Sequence, residues 1–173
     1  MRAAQIAGCL AAALAPAAPA PAAQSAVSVD GRSLSLHSGE RVVVRLQAGG
    51  VLALVSAVPA AASEAEPPKP RSPAKDDAGP APGTIALTLG VEGARTLLKI
   101  DSGLSQAFDY RATLRRDGAA AGEAVGVCTV LPLLASWEHW PYGVRSLTLS
   151  GFATRPTNEV VCPEPPASQE TSP

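Results

Sequence analysis

Phe108-Asp109-Tyr110-Arg111-Ala112-Thr113-Leu114-Arg115 decides the fold. Phe108, Tyr110, Ala112 and Leu114 alternate without a break with Asp109, Arg111, Thr113 and Arg115. Successive side chains of an extended chain point to opposite faces, so this stretch has one oily face and one charged face. That is the pattern of a half-buried strand.

Weaker copies of the pattern lie on either side. Upstream, Leu98 and Ile100 face away from Lys99 in a strand from Arg95 that ends at Asp101-Ser102-Gly103. Ile85, Leu87 and Leu89 alternate with Thr84, Ala86 and Thr88, and Gly90 to Gly93 turns the chain. Near the N-terminus, Val27-Ser28-Val29 runs into Asp30-Gly31, a hairpin signal. Leu34 and Leu36, then Val42, Val44 and Leu46, continue in period two. Val51 to Val55 is apolar on both faces, which predicts a central strand. Downstream, Asp117-Gly118 opens a small-residue turn, and Val125, Val127 and Thr129 extend a strand that carries Cys128. The pattern lapses after Leu131-Pro132, resumes at Val144, Leu147 and Leu149, and ends with a short strand at Val160 to Cys162. Some nine short strands with turns every eight to twelve residues make an all-β chain, an antiparallel β-sandwich of immunoglobulin-like size with roughly 110 ordered residues.

The 173 residues have room for one such domain. Residues 1–22 read as a signal peptide: a small-residue apolar run follows Met1-Arg2, and Ala20-Pro21-Ala22 supplies the small residues a signal peptidase needs. Residues 23–57 hold the first strands, and 84–162 complete the same domain. Between them, 58–83 has seven prolines and no aromatic residue, the composition of a disordered insert. A polar, proline-rich tail, 163–173, is also expected to be disordered. Periplasmic or secreted localisation follows from the leader. Ile6-Ala7-Gly8-Cys9 resembles a lipidation box, but the apolar run before Cys9 is too short, so a lipid anchor there is not favoured. Lys+Arg number 14 and Asp+Glu 15, a balance that gives no reason to expect nucleic acid or an anionic membrane surface. No apolar run is long enough for a membrane span.

Loss of Cys9 with the leader leaves Cys128 and Cys162, an even pair in an oxidising compartment and hence a disulfide. Closing a loop of about 35 residues stabilises a fold by roughly 3–4 kcal/mol in the chain-entropy model. The spacing suits neither a redox C-x-x-C motif nor a zinc site.

The densest chemistry is Trp137-Glu138-His139-Trp140-Pro141-Tyr142, with both tryptophans, one of two histidines and one of two tyrosines. One reading makes it a structural plug that closes an end of the sandwich. A second makes Trp137, Glu138, His139, Trp140 and Tyr142 a contact surface for a protein or a glycan, with Trp137, Trp140 and Tyr142 stacking on sugar rings. A third, unfavoured, makes Glu138 and His139 an enzyme's working pair, although neighbours on a strand point apart. No nucleophile elbow, phosphate loop, zinc helix or calcium loop is present. The reading is therefore non-catalytic, with no metal site and no cofactor, acting by protein contact or a structural role.

Phe108-Asp109-Tyr110-Arg111-Ala112, Cys128, Pro132 and Trp137-Glu138-x-Trp140-Pro141 together resemble a group of small exported bacterial proteins without an assigned activity. The resemblance covers about residues 94–152. It implies an exported β-rich domain and transfers no catalytic residue.

Overall fold

Among the described residues, ten strands form in chain order: β1 (Ala26–Val27), β2 (Ser33–His37), β3 (Glu40–Leu46), β4 (Leu52–Pro59), β5 (Thr84–Glu92), β6 (Arg95–Ser102), β7 (Phe108–Arg116), β8 (Glu123–Val125), β9 (Ala135–Trp140) and β10 (Val144–Thr154). A 3-10 turn, Ala48–Gly50, links β3 to β4. The computed structural model describes residues 24–28, 30–60 and 79–163. The expected signal peptide at residues 1–22, Cys9, residues 61–78 of the expected insert and nearly all of the expected tail lie outside the described residues.

The strands form two antiparallel five-stranded sheets, one ordered β1-β2-β10-β7-β8 and the other β4-β3-β5-β6-β9. The alternation at 108–115 sorts as expected. Phe108, Tyr110, Ala112 and Leu114 are buried, while Arg111, Thr113 and Arg115 are exposed. Leu34 and Leu36 from β2 and Leu147 and Leu149 from β10 complete the inner face of the first sheet. Val42, Val44, Ile85, Leu87, Leu89, Leu98 and Ile100 meet them from the second. Phe108, Tyr110 and Phe152 pack with ring centroids 6.0–6.2 Å apart at one end of this core.

Gly50 shows how tightly the turn before β4 is built. Its φ is +77°, and a Cβ there would run into the Phe152 carbonyl oxygen of β10. Only glycine meets both demands.

Several sequence expectations are corrected. Val51 to Val55 is not central: β4 is an edge strand that pairs with β3 alone, and it continues to Pro59, so the insert begins later than residue 58. Residues 126–129 are not a regular strand; β8 ends at Val125, and only an isolated bridge joins Val130 to Phe108. The lapse after Pro132 hides β9, which pairs with β6 from Ala135 opposite Asp101 to Trp140 opposite Thr96. Val160 to Cys162 is not a strand, although Thr129 N–H donates to the Val161 carbonyl at 2.9 Å.

Candidate functional site

Because residues 137–140 lie on β9, their side chains alternate between the two faces of the second sheet. Glu138 is opposite Leu98 and Trp140 opposite Thr96, both inward-facing positions of β6. Trp137 is opposite Lys99 and His139 opposite Leu97, on the outer face. The cluster is thus divided. Trp140 is sealed in the core at 7% exposure, and His139 faces solvent. Tyr142, beyond the strand, is half-buried, with the Arg116 guanidinium 3.8 Å from its ring centroid. Its carbonyl accepts the Thr96 hydroxyl at 2.9 Å. The plug reading holds for Trp140. The platform of three aromatic rings in the second reading does not form, and Glu138 and His139 do not converge.

Glu138 is the unusual member, a carboxyl turned inward at the rim of the core. Its Oε1 accepts the Cys128 N–H at 2.9 Å. Burial pushes its pKa above the ordinary carboxylate value, against the opposing pull of that N–H, of Tyr110 and of His139. Tyr110 is affected in turn: burial first, then the Glu138 charge, pushes its phenol well above the ordinary tyrosine value. The carboxylate acts on the Tyr110 hydroxyl, yet that enclosed hydroxyl makes no hydrogen bond of acceptable geometry. The indole Nε1 of Trp137 is likewise enclosed without a partner.

Cys128 and Cys162 form the expected disulfide, 34 residues apart in sequence. Beside it lies a polar clamp that sequence reasoning missed. Asp109 accepts the Thr129 hydroxyl at 2.7 Å and pairs with Arg155 at 3.1 Å, while Val161 N–H donates to Thr129 Oγ1 at 3.2 Å. Asp109 reads as a solvent-face residue of β7, and nothing in its spacing announces partners so distant in the chain. Together the clamp and the disulfide tie the segment after β10 to residues 128–130.

The second candidate surface is the free edge of β4. The other sheet edges are short or carry ionisable side chains: β1 has two residues, β8 has three including Glu123, and β9 carries Glu138 and His139. β4 has eight residues and no charge; indeed residues 51–60 contain none. Leu54, Val55 and Val58 are 48%, 54% and 47% exposed. Ala60 N–H donates to the Gly39 carbonyl at 2.9 Å. Alternation along an antiparallel pair then turns the backbone groups of Val58 and Ser56 toward β3, and those of Ala57 and Pro59 away from it. At the other end, Leu52 N–H donates outward to the Gly31 carbonyl at 2.7 Å, so the turn after β1 covers that end. The open edge runs from Leu54 to Pro59. Among the described residues, a register shift opposite Val43 and Val44, together with Pro59, is its protection of the usual kinds.

Among the described residues, no group of three or more His, Cys, Asp or Glu is placed to hold a metal ion. No helix among them is long and apolar enough to cross a membrane. No family model, curated protein or solved structure matches the chain.

Proposed function

We propose that the chain is an exported, non-catalytic β-sandwich domain of the periplasm or extracellular space that acts by protein contact. The observation that carries this reading is the β4 edge: outward backbone groups and three exposed large apolar side chains, with no charge to repel a strand. Such an edge is a template for an added strand. The disulfide is compatible with an oxidising compartment, and the resemblance to small exported β-rich proteins agrees with it. A photoreactive cross-linker at Val58, compared with one at exposed Arg111 on β7, tests the reading in the cell envelope. Discrete products from Val58 and none from Arg111 are expected. Equal labelling from both positions, or none from either, removes the proposal.

A glycan site is the second reading, and only Trp137 still favours it. That ring shares the outer face with the Lys99–Asp101 ion pair of 3.1 Å, an aromatic plane beside polar groups. Titrating tryptophan fluorescence with glycans of several classes tests it; Trp137→Phe should abolish any saturable shift, and a flat response in the native chain ends this alternative.

A further inference from the structure

We infer that the Cys128–Cys162 disulfide is a redox-sensitive latch: a dithiol reductant opens it in the folded protein and frees the segment after β10 while the sandwich stays intact. Residues 128–130 lie beside the start of β7, where Val130 and Phe108 exchange two backbone bonds of 3.0 Å. Alternation turns the backbone of Thr129 the other way. There its N–H donates to the Val161 carbonyl at 2.9 Å, and Val161 N–H donates back to Thr129 Oγ1 at 3.2 Å. Residues 160–162 thus occupy the place of one more edge strand, although they form no regular ladder. The disulfide fastens this strap one residue further on, Cys162 to Cys128.

The fastened parts differ in how firmly the fold holds them. Cys128 sits between buried Val127 and Thr129, and Glu138 Oε1 accepts its N–H at 2.9 Å. At the base of the strap, Arg155 is half-buried, pairs with Asp109 at 3.1 Å and donates its N–H to the Ala107 carbonyl at 2.8 Å. From Pro156 to Pro163 every residue is exposed, and among the described residues the core contains nothing beyond Phe152. Lifting the strap from Pro156 onward therefore withdraws no side chain from the core. It uncovers the backbone of Thr129, a residue only 5% exposed while the strap is down. Opening of this kind is local.

Placement also sets the order of the chemistry. Cys162 is exposed and Cys128 half-buried, so a thiolate from solvent meets Cys162 Sγ first. A new S–S bond forms there as the bond to Cys128 breaks, and Cys128 leaves as a thiolate that takes up a proton. The second thiol of the reductant then attacks its own sulfur in the mixed disulfide. That step closes a cyclic disulfide and releases Cys162 as a thiolate, protonated in the same way. Two electrons pass from the dithiol to the protein.

Dithiothreitol added to the purified, oxidised chain without denaturant tests the latch. Alkylation read by peptide mass spectrometry should find Cys128 and Cys162 reduced together, at a rate proportional to reductant concentration. The β-type dichroism spectrum should be unchanged. Hydrogen exchange at the Thr129 and Val161 amides should quicken by at least about tenfold, with the amides of β5 and β10 unaffected. Cys162→Ser should give the same exchange pattern without reductant; if that variant does not fold, reduction of the already folded native chain decides. A disulfide that is reduced only at the rate of global unfolding overturns the inference, as does loss of the β spectrum on reduction. So does a strap whose exchange stays slow in the reduced chain.

Discussion

β4 and β5 are similar strings with opposite surroundings. Leu52-Ala53-Leu54-Val55-Ser56-Ala57-Val58 and Thr84-Ile85-Ala86-Leu87-Thr88-Leu89 both mix aliphatic residues with small or hydroxylated ones. β5 lies between β3 and β6, and every residue from Thr84 to Leu89 is at most 2% exposed. β4 has one strand neighbour, and from Leu54 to Pro59 only Ser56 is not exposed. A strand's burial is a property of its neighbours as much as of its own side chains. Apolar residues on both faces therefore report either the middle of a sheet or an exposed edge of it.

The contrast predicts a steep difference in mutational cost. Leu87→Ala on β5 should destabilise the fold by about 3–4 kcal/mol, and Leu54→Ala on β4 by less than about 1 kcal/mol, measured by chemical denaturation. Similar costs at the two positions would mean that Leu54 is covered. Next in size, the turn into β4 should tolerate change unevenly. Gly50→Ala should cost about 2–3 kcal/mol, because the added methyl meets the Phe152 carbonyl. Gly49→Ala, also at positive φ but with nothing within 4 Å of its Cβ, should cost about 1 kcal/mol. Thermal melts of the pair give the comparison directly.

The two edges of the second sheet should also differ in response to pH. Glu138 on β9 has a folded pKa above its unfolded one, so folding favours the protonated carboxyl. Its contribution is most favourable below the ordinary carboxyl value. Stability is then lost as pH rises through the interval up to the raised folded value, and levels off above it. Glu138→Gln keeps an acceptor for Cys128 N–H and should remove that slope, raising stability at neutral pH relative to the native chain. A slope that persists in the variant assigns the effect elsewhere. The smallest effect is expected at the open edge itself. Val58→Lys should leave the unfolding free energy of the monomer within about 0.5 kcal/mol of native, because the side chain is already half in water.

Legibility in the sequence followed the physics of one-sided burial. β7 could be read residue by residue because its two faces meet opposite environments, core and solvent. The disulfide could be read from the parity of the cysteines left once Cys9 is assigned to an expected leader. β9 could not be read, because its pattern is inverted: a tryptophan, Trp137, faces outward and a carboxyl, Glu138, faces inward. Period-two hydrophobicity vanishes when one residue on each face is of the unexpected kind. The edge position of β4 was illegible for another reason. Nothing local distinguishes a strand buried between neighbours from one that lacks a neighbour. The division of Trp137 from Trp140 follows from strand parity alone, but only once residues 135–140 are known to be extended.

β10 is the last strand among the described residues, yet it sits in the middle of the first sheet, with Leu36 of β2 opposite Leu147 and Leu114 of β7 on the other side. Any process that delivers the polypeptide N-terminus first, whether ribosomal synthesis or threading through a translocation pore, leaves β2 and β7 without their shared neighbour until residues 144–154 emerge. The first sheet cannot zip up early, and closing so long a loop is slow. The domain's own connectivity thus delays its completion until β10 has passed.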